Sequence, residues 1–497
     1  MLEADPPWSR PLMLESTMST GDIIETEKKA PAHFTEEEVA ADSESQDLNY
    51  KKILRKIDRR ILYLYSVVYL FTQINKGNLS NVAIVNLEAG HGIKEELSLN
   101  SQQWAWSLSS FYYSYLFFEP LATVLLKTFG PRVWQSRIMI TWGAISMLQA
   151  AARNFSGLVA VRFFLGLAEA GFYTSVLYHL GFWVKPRELR QRVASFYSVG
   201  MLSGAVSGLL AYGISFLDQR ANLSGWQWVF IFEGIPTVLL GIYTFFRLPN
   251  YVEDSNFLSE GEKKVLLDNL PKSAPTKADS SFSWDQVKEL IRQPTFYTYC
   301  SIWFFQGVGG WGISFVLPTI VYELGFTGTA TTQLMTMPPS FIGFILLNVL
   351  GYMLHRRYIE AFPTAMVMSL IQIVSYIVLL TVKSNVAKYV MLNVATAISN
   401  SLFPVLWPDR MRVVNGTSSS ALAIGITNTA CQFLGIVGPQ IYQPKFGPTY
   451  RVSYACSIAL CSCASASIAL TWYLVAKGGL LHTEGAFRED SDDTDKS

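Results

Sequence analysis

The chain has 497 residues, enough for about three soluble domains, yet half of them are hydrophobic, 14% are aromatic and only 15% are charged. That balance excludes an ordinary set of water-soluble domains. A net charge of +1 and a pI near 7.6, with no basic stripe, give no reason to expect a polyanionic partner, and nucleic acid is excluded.

Mean hydropathy is +0.25, and it rises once the polar ends and the stretch from about 250 to 295 are set aside. Residues 1–50 are rich in Glu, Asp, Ser, Thr and Pro without apolar period, and are expected to form a disordered cytoplasmic tail. No apolar segment starts near Met1, so the first span is expected to serve as the targeting signal.

Apolar stretches then follow at 61–86, 104–126, 136–152, 157–183, 193–217 and 227–248, and again at 296–324, 331–354, 362–383, 386–407, 418–442 and 453–476. A span needs roughly 20 apolar residues, so the expectation is an all-α membrane protein with twelve transmembrane helices in two six-helix bundles, 51–248 and 296–476. The segment 249–295, rich in Lys, Glu and Pro, reads as a cytoplasmic linker with a surface helix over 258–270, and 477–497 as a second tail.

Lys127, Arg132 and Arg137 flank the turn after the second span, and Lys185, Arg187, Arg190 and Arg192 crowd the turn after the fourth, which places these turns and both termini in the cytoplasm. Arg356, Arg357, Arg410 and Arg412 agree, whereas Lys383, Lys388, Lys445 and Arg451 fall on the outer side. Asn154 and Asn222 open glycosylation motifs in outer loops. The cysteines Cys300, Cys431, Cys456, Cys461 and Cys463 lie inside apolar stretches and read as packing residues; no metal or cofactor is expected.

Ionisable groups at bilayer depth cost several kcal/mol unless paired or hydrated, so they mark function. They are Lys76, Glu119, Arg162, Glu169, His179 and Glu233. Arg162 and Glu169, seven residues apart, lie two turns apart on nearly one helix face. They read either as structural pairs with neighbouring helices or as an anion-binding arginine and a proton-carrying carboxylate. Lys76, in Asn75-Lys76-Gly77-Asn78, either lines a water-filled path or snorkels to one surface. Glu119 is expected to pair with loop arginines such as Arg132, Glu233 to be a structural partner, and His179 either to titrate or to be a satisfied packing histidine. Gly200, Gly204 and Gly208, spaced by four, favour close helix packing.

The string Arg162-Phe-Phe-Leu-Gly-Leu-Ala-Glu169-Ala-Gly171-Phe, followed by Trp183-Val-Lys-Pro-Arg187-Glu188 and Arg192, resembles the fourth span and following loop of the anion:cation symporter family of the major facilitator superfamily, in particular fungal allantoate, nicotinate and pantothenate permeases. Lys56-Ile-Asp58-Arg59-Arg60, Phe118-Glu119-Pro120, Phe129-Gly130-Pro131-Arg132 and Gly225-Trp-Gln-Trp-Val-Phe-Ile-Phe-Glu233-Gly-Ile-Pro236 support it. The resemblance implies alternating access and proton-coupled uptake of a small organic anion or vitamin, with Arg162 engaging the anion, Glu169 carrying the proton, and Lys76 as the basic member of a first-span pair. The acidic member of that pair is here Asn75, which leaves a cavity with excess positive charge.

Tyr112, Tyr115, Gln306, Asn400 and Asn428 are expected to line the cavity beside Asn75, with Glu119, Arg132, Glu233 and Arg187 in gating or structural roles. An exporter or facilitator of an organic acid, and a non-transporting nutrient sensor, are the competing readings. No enzyme motif or ATP-binding segment appears. The expected partners are a small anionic solute, protons and the lipid bilayer, for a monomer in the plasma membrane.

Overall fold

The computed structural model describes residues 49–270, 284–325, 328–412 and 417–477, and among them every regular element is helical. The two tails lie almost entirely outside the described residues, as does the side chain of Arg187. Eight helical stretches are long and apolar enough to cross a bilayer: Phe155–Leu180, Gln191–Ser215, Gly225–Arg247, Thr329–Leu354, Ala361–Thr381, Asn385–Trp407, Leu422–Ile441 and Arg451–Lys477. A ninth, Pro294–Phe315 with Leu317–Glu323, is bent by 52°. Tyr63–Val82, Ser101–Phe129 and Pro131–Leu148 complete the twelve; they carry more polar residues. These are spans 1 to 12 in chain order.

Span 9 shows why the solvent must be lipid. Its Val367, Leu370, Ile371, Val374 and Ile377, at helical spacing, are the exposed face, while Ser369, Gln372 and Ser375 are buried. A helix apolar outside and polar inside is the reverse of a water-soluble one, and it is stable where hydrocarbon surrounds the bundle. The chain is an integral, multi-pass membrane protein.

Helix ends are set by local chemistry. Asn100 Oδ1 accepts the Gln103 N–H and Gln103 Oε1 accepts the Asn100 N–H, a reciprocal cap for span 2. Asn154 uses its side-chain oxygen to cap span 4 through the Gly157 N–H. Gly130, at φ +78°, turns span 2 into span 3, where Pro131 opens the helix. Glu260–Asn269 forms the surface helix, capped by Ser259, and Lys56 holds it through Glu262 at 2.5 Å.

Span 7 loses regular α-geometry at Gly307–Trp311 and tightens over Gly312–Phe315. The backbone groups freed there are taken up from other helices: Tyr376 and Ser399 hydroxyls donate to the Gly310 carbonyl at 3.0 and 2.8 Å. A broken helix persists at membrane depth only with such compensation.

Gly204 and Gly208 bring span 5 against span 8: a Cβ on Gly208 would stand 2.6 Å from the Gln333 carbonyl oxygen. Gly200 instead receives the Tyr69 ring of span 1. On the same side of the molecule Gln333 Nε2 donates to the Asn81 carbonyl at 2.9 Å, and Glu88 accepts the Thr329 N–H at 3.2 Å. These bonds join the two bundles along one edge of the cavity between them.

Candidate functional site: the central cavity

Span 1 sets the site because its polar residues divide between two faces. Tyr69, Gln73, Lys76, Gly77 and Ser80 recur at helical intervals and line two adjoining cavities of about 80 and 180 Å³ between the bundles. Asn75 and Asn78 point the other way. Asn75 is fully buried: its amide donates to Thr237 Oγ1 at 3.0 Å, and its oxygen accepts from Ser146 Oγ at 2.7 Å. The expectation that Asn75 faces the substrate is therefore corrected. One residue along a helix is 100° of rotation, and that turns it into the packing of spans 1, 3 and 6.

The Lys76 ammonium projects into the cavity inside a group of rings on span 2, 4.7 Å from the centre of Tyr115, 5.6 Å from Phe111 and 5.8 Å from Tyr112. Ring faces attract a cation. Its carboxylate neighbour is Glu169, at 3.7 Å from Nζ to Oε1, and Glu169 Oε2 is buried without a hydrogen-bond partner. Glu169 ends the first segment of span 4; Ala170 and left-handed Gly171 break the helix there, and Ala122 of span 2 packs against Gly171 where a side chain would sit.

Arg162 is placed differently from expectation. It is 1% exposed and lines neither cavity; the Phe111 ring stands beside it, 5.3 Å from the guanidinium carbon, and its Nε and Nη1 are buried without hydrogen-bond partners. Gly166 permits this, since the Phe111 carbonyl occupies the space a Cβ would need and so draws spans 2 and 4 together. Glu169 opens onto the cavity; Arg162 lies behind its wall.

Tyr112, Tyr115 and Asn428 line the smaller cavity, and Tyr112 and Asn400 the larger. Gln306 does not. It is fully buried, donating to Gln372 Oε1 at 2.6 Å, and Gln372 in turn donates to Ser399 Oγ, so it belongs to the network that steadies span 7.

The carboxylate of Glu119 also departs from expectation. It accepts from Asn428 Nδ2 at 2.5 Å and Thr429 Oγ1 at 3.0 Å, both on span 11. Span 2 runs ten residues past Glu119 to its end at Phe129, about 15 Å along the axis, and Arg132 beyond that end donates instead to the Phe245 carbonyl, with its backbone N–H on Asn250. Glu233 is buried beside Asn78 within the first bundle. His179 bonds the Tyr65 hydroxyl at 2.5 Å and the Asn250 carbonyl at 2.8 Å, as a satisfied packing histidine does.

Much of the lining comes from aromatic residues that charge and motif did not single out: Tyr69, Tyr197, Trp303, Trp311 and Trp407. The interval from Tyr69 through Gln73 to Lys76 carried the signal for the first of them. Tyr173 of span 4 meets Trp407 of span 10 at 6.2 Å between ring centres, so the two bundles touch on this side of the cavity as well.

The profile of the Major Facilitator Superfamily matches residues 65–439. The MFS-type transporter cnsO of Penicillium expansum is 28% identical, with 93% of each chain covered. The high-affinity nicotinic acid transporter of Saccharomyces cerevisiae is 29% identical over 59% of this chain and 53% of its own. A bacterial homologue of the human lysosomal transporter Spinster, inward-facing and unoccupied, shares the fold at 15% identity with a TM-score of 0.62, covering 84% of this chain and 97% of that one. With more than half of its length matched by that profile and twelve spans in two bundles, the chain belongs to the Major Facilitator Superfamily, a family of membrane transporters and not of enzymes.

Proposed function

We propose that the chain is a proton-coupled importer of a small organic anion, in which Lys76 receives the carboxylate and Glu169 carries the proton. The observation that carries this reading is the Lys76–Glu169 pair: a cation and an acid 3.7 Å apart on the cavity wall, the acid having one oxygen without a partner. In the empty site the two charges balance. A proton on Glu169 cancels the negative charge and leaves the ammonium without a counter-ion, which an incoming carboxylate replaces. Proton and anion then enter together, and no acid is needed at Asn75. A buried charge left unpaired costs several kcal/mol, and that cost is what couples the two.

The ring-rich lining suits a flat carboxylic acid, since aromatic faces stack on planar solutes. The nicotinic acid transporter among the relatives supports this substrate class. Arg162 supplies a second positive charge from behind Phe111. The Lys/Arg bias supports both termini being cytoplasmic, and we propose that the protein acts as a monomer in the plasma membrane, with bundles 51–248 and 296–476 joined by 249–295.

An uptake screen in a permease-deficient host with radiolabelled nicotinate, pantothenate, biotin, allantoate and dicarboxylates tests the reading, followed by pH-jump and counterflow measurements in vesicles. Accumulation of one of these anions driven by an inward proton gradient is expected. Accumulation of none, or transport indifferent to the gradient, would overturn it.

A further inference from the structure

Glu119 is unused by the mechanism above, yet it is fully buried and held by the opposite bundle. It lies one turn beyond Tyr115 on span 2, so it continues the cavity-facing stripe of Tyr112 and Tyr115. Its Oε1 accepts from Asn428 Nδ2 at 2.5 Å and its Oε2 from Thr429 Oγ1 at 3.0 Å. Asn428 also lines the cavity. The next turn of span 2 is pressed onto span 4 at Ala122 and Gly171, which fixes Glu119 in depth and direction.

We infer that Glu119 is a second proton-carrying residue of the transport cycle, and that its ionised form latches span 2 to span 11. The donor set carries the inference. An ionised carboxylate is acceptor-only and offers both oxygens, as this contact requires. A protonated one presents an O–H where Thr429 now donates, so the threonine hydroxyl must turn round or the bond is lost, and the charge assistance at Asn428 disappears with it. Charge-assisted hydrogen bonds are roughly twice as strong as neutral ones. Proton gain therefore loosens the junction of the bundles, and proton loss remakes it.

The charged and titratable groups around Glu119 are Lys76 of span 1, Tyr115 on its own span and Cys431 of span 11. Glu169 of span 4 acts on the same Tyr115. Lys76 thus feels both acids, which joins the latch to the substrate site.

Although the inference rests on the transport reading for its purpose, its test is read from the bundles and not from uptake. Spin labels at Phe129→Cys and Leu422→Cys, in a full-length chain without other cysteines and reconstituted in nanodiscs, report the separation of spans 2 and 11 by pulsed dipolar spectroscopy. The expected result is a distance distribution that shifts to longer separations between pH 8 and pH 5. In Glu119→Gln the pH 5 distribution should hold at both pH values, and in Thr429→Val the midpoint should move to higher pH because a donor to the ionised form is gone. Glu119→Asp keeps an acid and should keep a pH response, which guards against a Gln variant that merely misfolds. A distribution indifferent to pH in the parent chain, a parent-like response in Glu119→Gln, or a response lost in Glu169→Gln and kept in Glu119→Gln would overturn the assignment. If no organic anion is transported but the latch responds, only the proposed substrate falls.

Discussion

The Lys76–Glu169 pair yields a prediction whose size can be worked out. At 3.7 Å, an effective dielectric of about 20 gives an attraction of roughly 4.5 kcal/mol. Both side chains are withdrawn from water, with Lys76 18% and Glu169 2% exposed, and desolvation takes back much of that. A coupling energy of about 1–3 kcal/mol should remain. The perturbation is a double-mutant cycle with Lys76→Gln, Glu169→Gln and the pair together, followed by unfolding of each purified variant in the same membrane mimetic. Each single variant strands one buried charge, whereas the double variant strands none, so the double should be less destabilised than the sum of the singles. In transport, Lys76→Gln removes a charge-assisted bond to the substrate carboxylate, about 1.5–3 kcal/mol, and the half-saturation concentration should rise roughly 10- to 150-fold. A coupling energy within about 0.5 kcal/mol of zero would refute the exchange of Glu169 for substrate as the partner of Lys76.

Gln306→Leu leaves the Gln372 oxygen without its donor, a loss of about 1–3 kcal/mol. Melting temperature should fall while half-saturation for the transported anion stays put; a raised half-saturation would return Gln306 to the cavity wall. Arg162→Ala should lower uptake by about tenfold or more with surface expression preserved, and Arg162→Lys should recover part of it, because the charge acts across Phe111 and not through a bidentate contact. Parent-like uptake by the alanine variant would reduce Arg162 to packing. On the surface helix, the hydrogen bond from Lys56 holds the Glu262 carboxyl below its ordinary value. A depressed carboxyl stabilises the docked helix above its unfolded value, and that contribution is lost as pH falls through the folded one. The protection factors for hydrogen exchange across 260–269, taken against the unfolded-chain rate at each pH, should therefore fall below about pH 4.5 and do so less in Lys56→Ala; equal pH dependence in the two would deny the contact.

How far the sequence could be read follows from what a bilayer does to a chain. Depth is a one-dimensional property, and hydropathy reports it. The span limits, the surface helix and the presence of Lys76, Glu119, Glu169 and Glu233 at depth could all be read along the chain. Azimuth could not, because it is decided by neighbours. Asn75 and Lys76 are adjacent in sequence, yet one is buried among Ser146 and Thr237 and the other opens onto the cavity. The seven-residue spacing of Arg162 and Glu169 puts them near one face of an ideal helix, but it says nothing of the Phe111 ring from span 2 that stands beside Arg162. Gln306 was drawn out of the cavity by the broken backbone of span 7, a demand made in the residues just beyond it, Gly307–Phe315.

Contacts between the bundles were least visible of all, because they join residues more than two hundred positions apart with no shared motif. Glu119 and Asn428 illustrate the point. Each was recognisable as a polar group out of place in lipid, and Tyr112, Tyr115 and Glu119 stand at the spacing of one helix face. Folding makes each of the two the other's solvent. A carboxylate with no water must find donors, and an amide at the same depth on the facing helix must find an acceptor, so the cost that made both conspicuous is the force that brings them together. The same cost makes the contact reversible, since a single proton removes the charge that holds it. In a membrane carrier the residues hardest to bury are thereby the ones through which its two halves can be made to part.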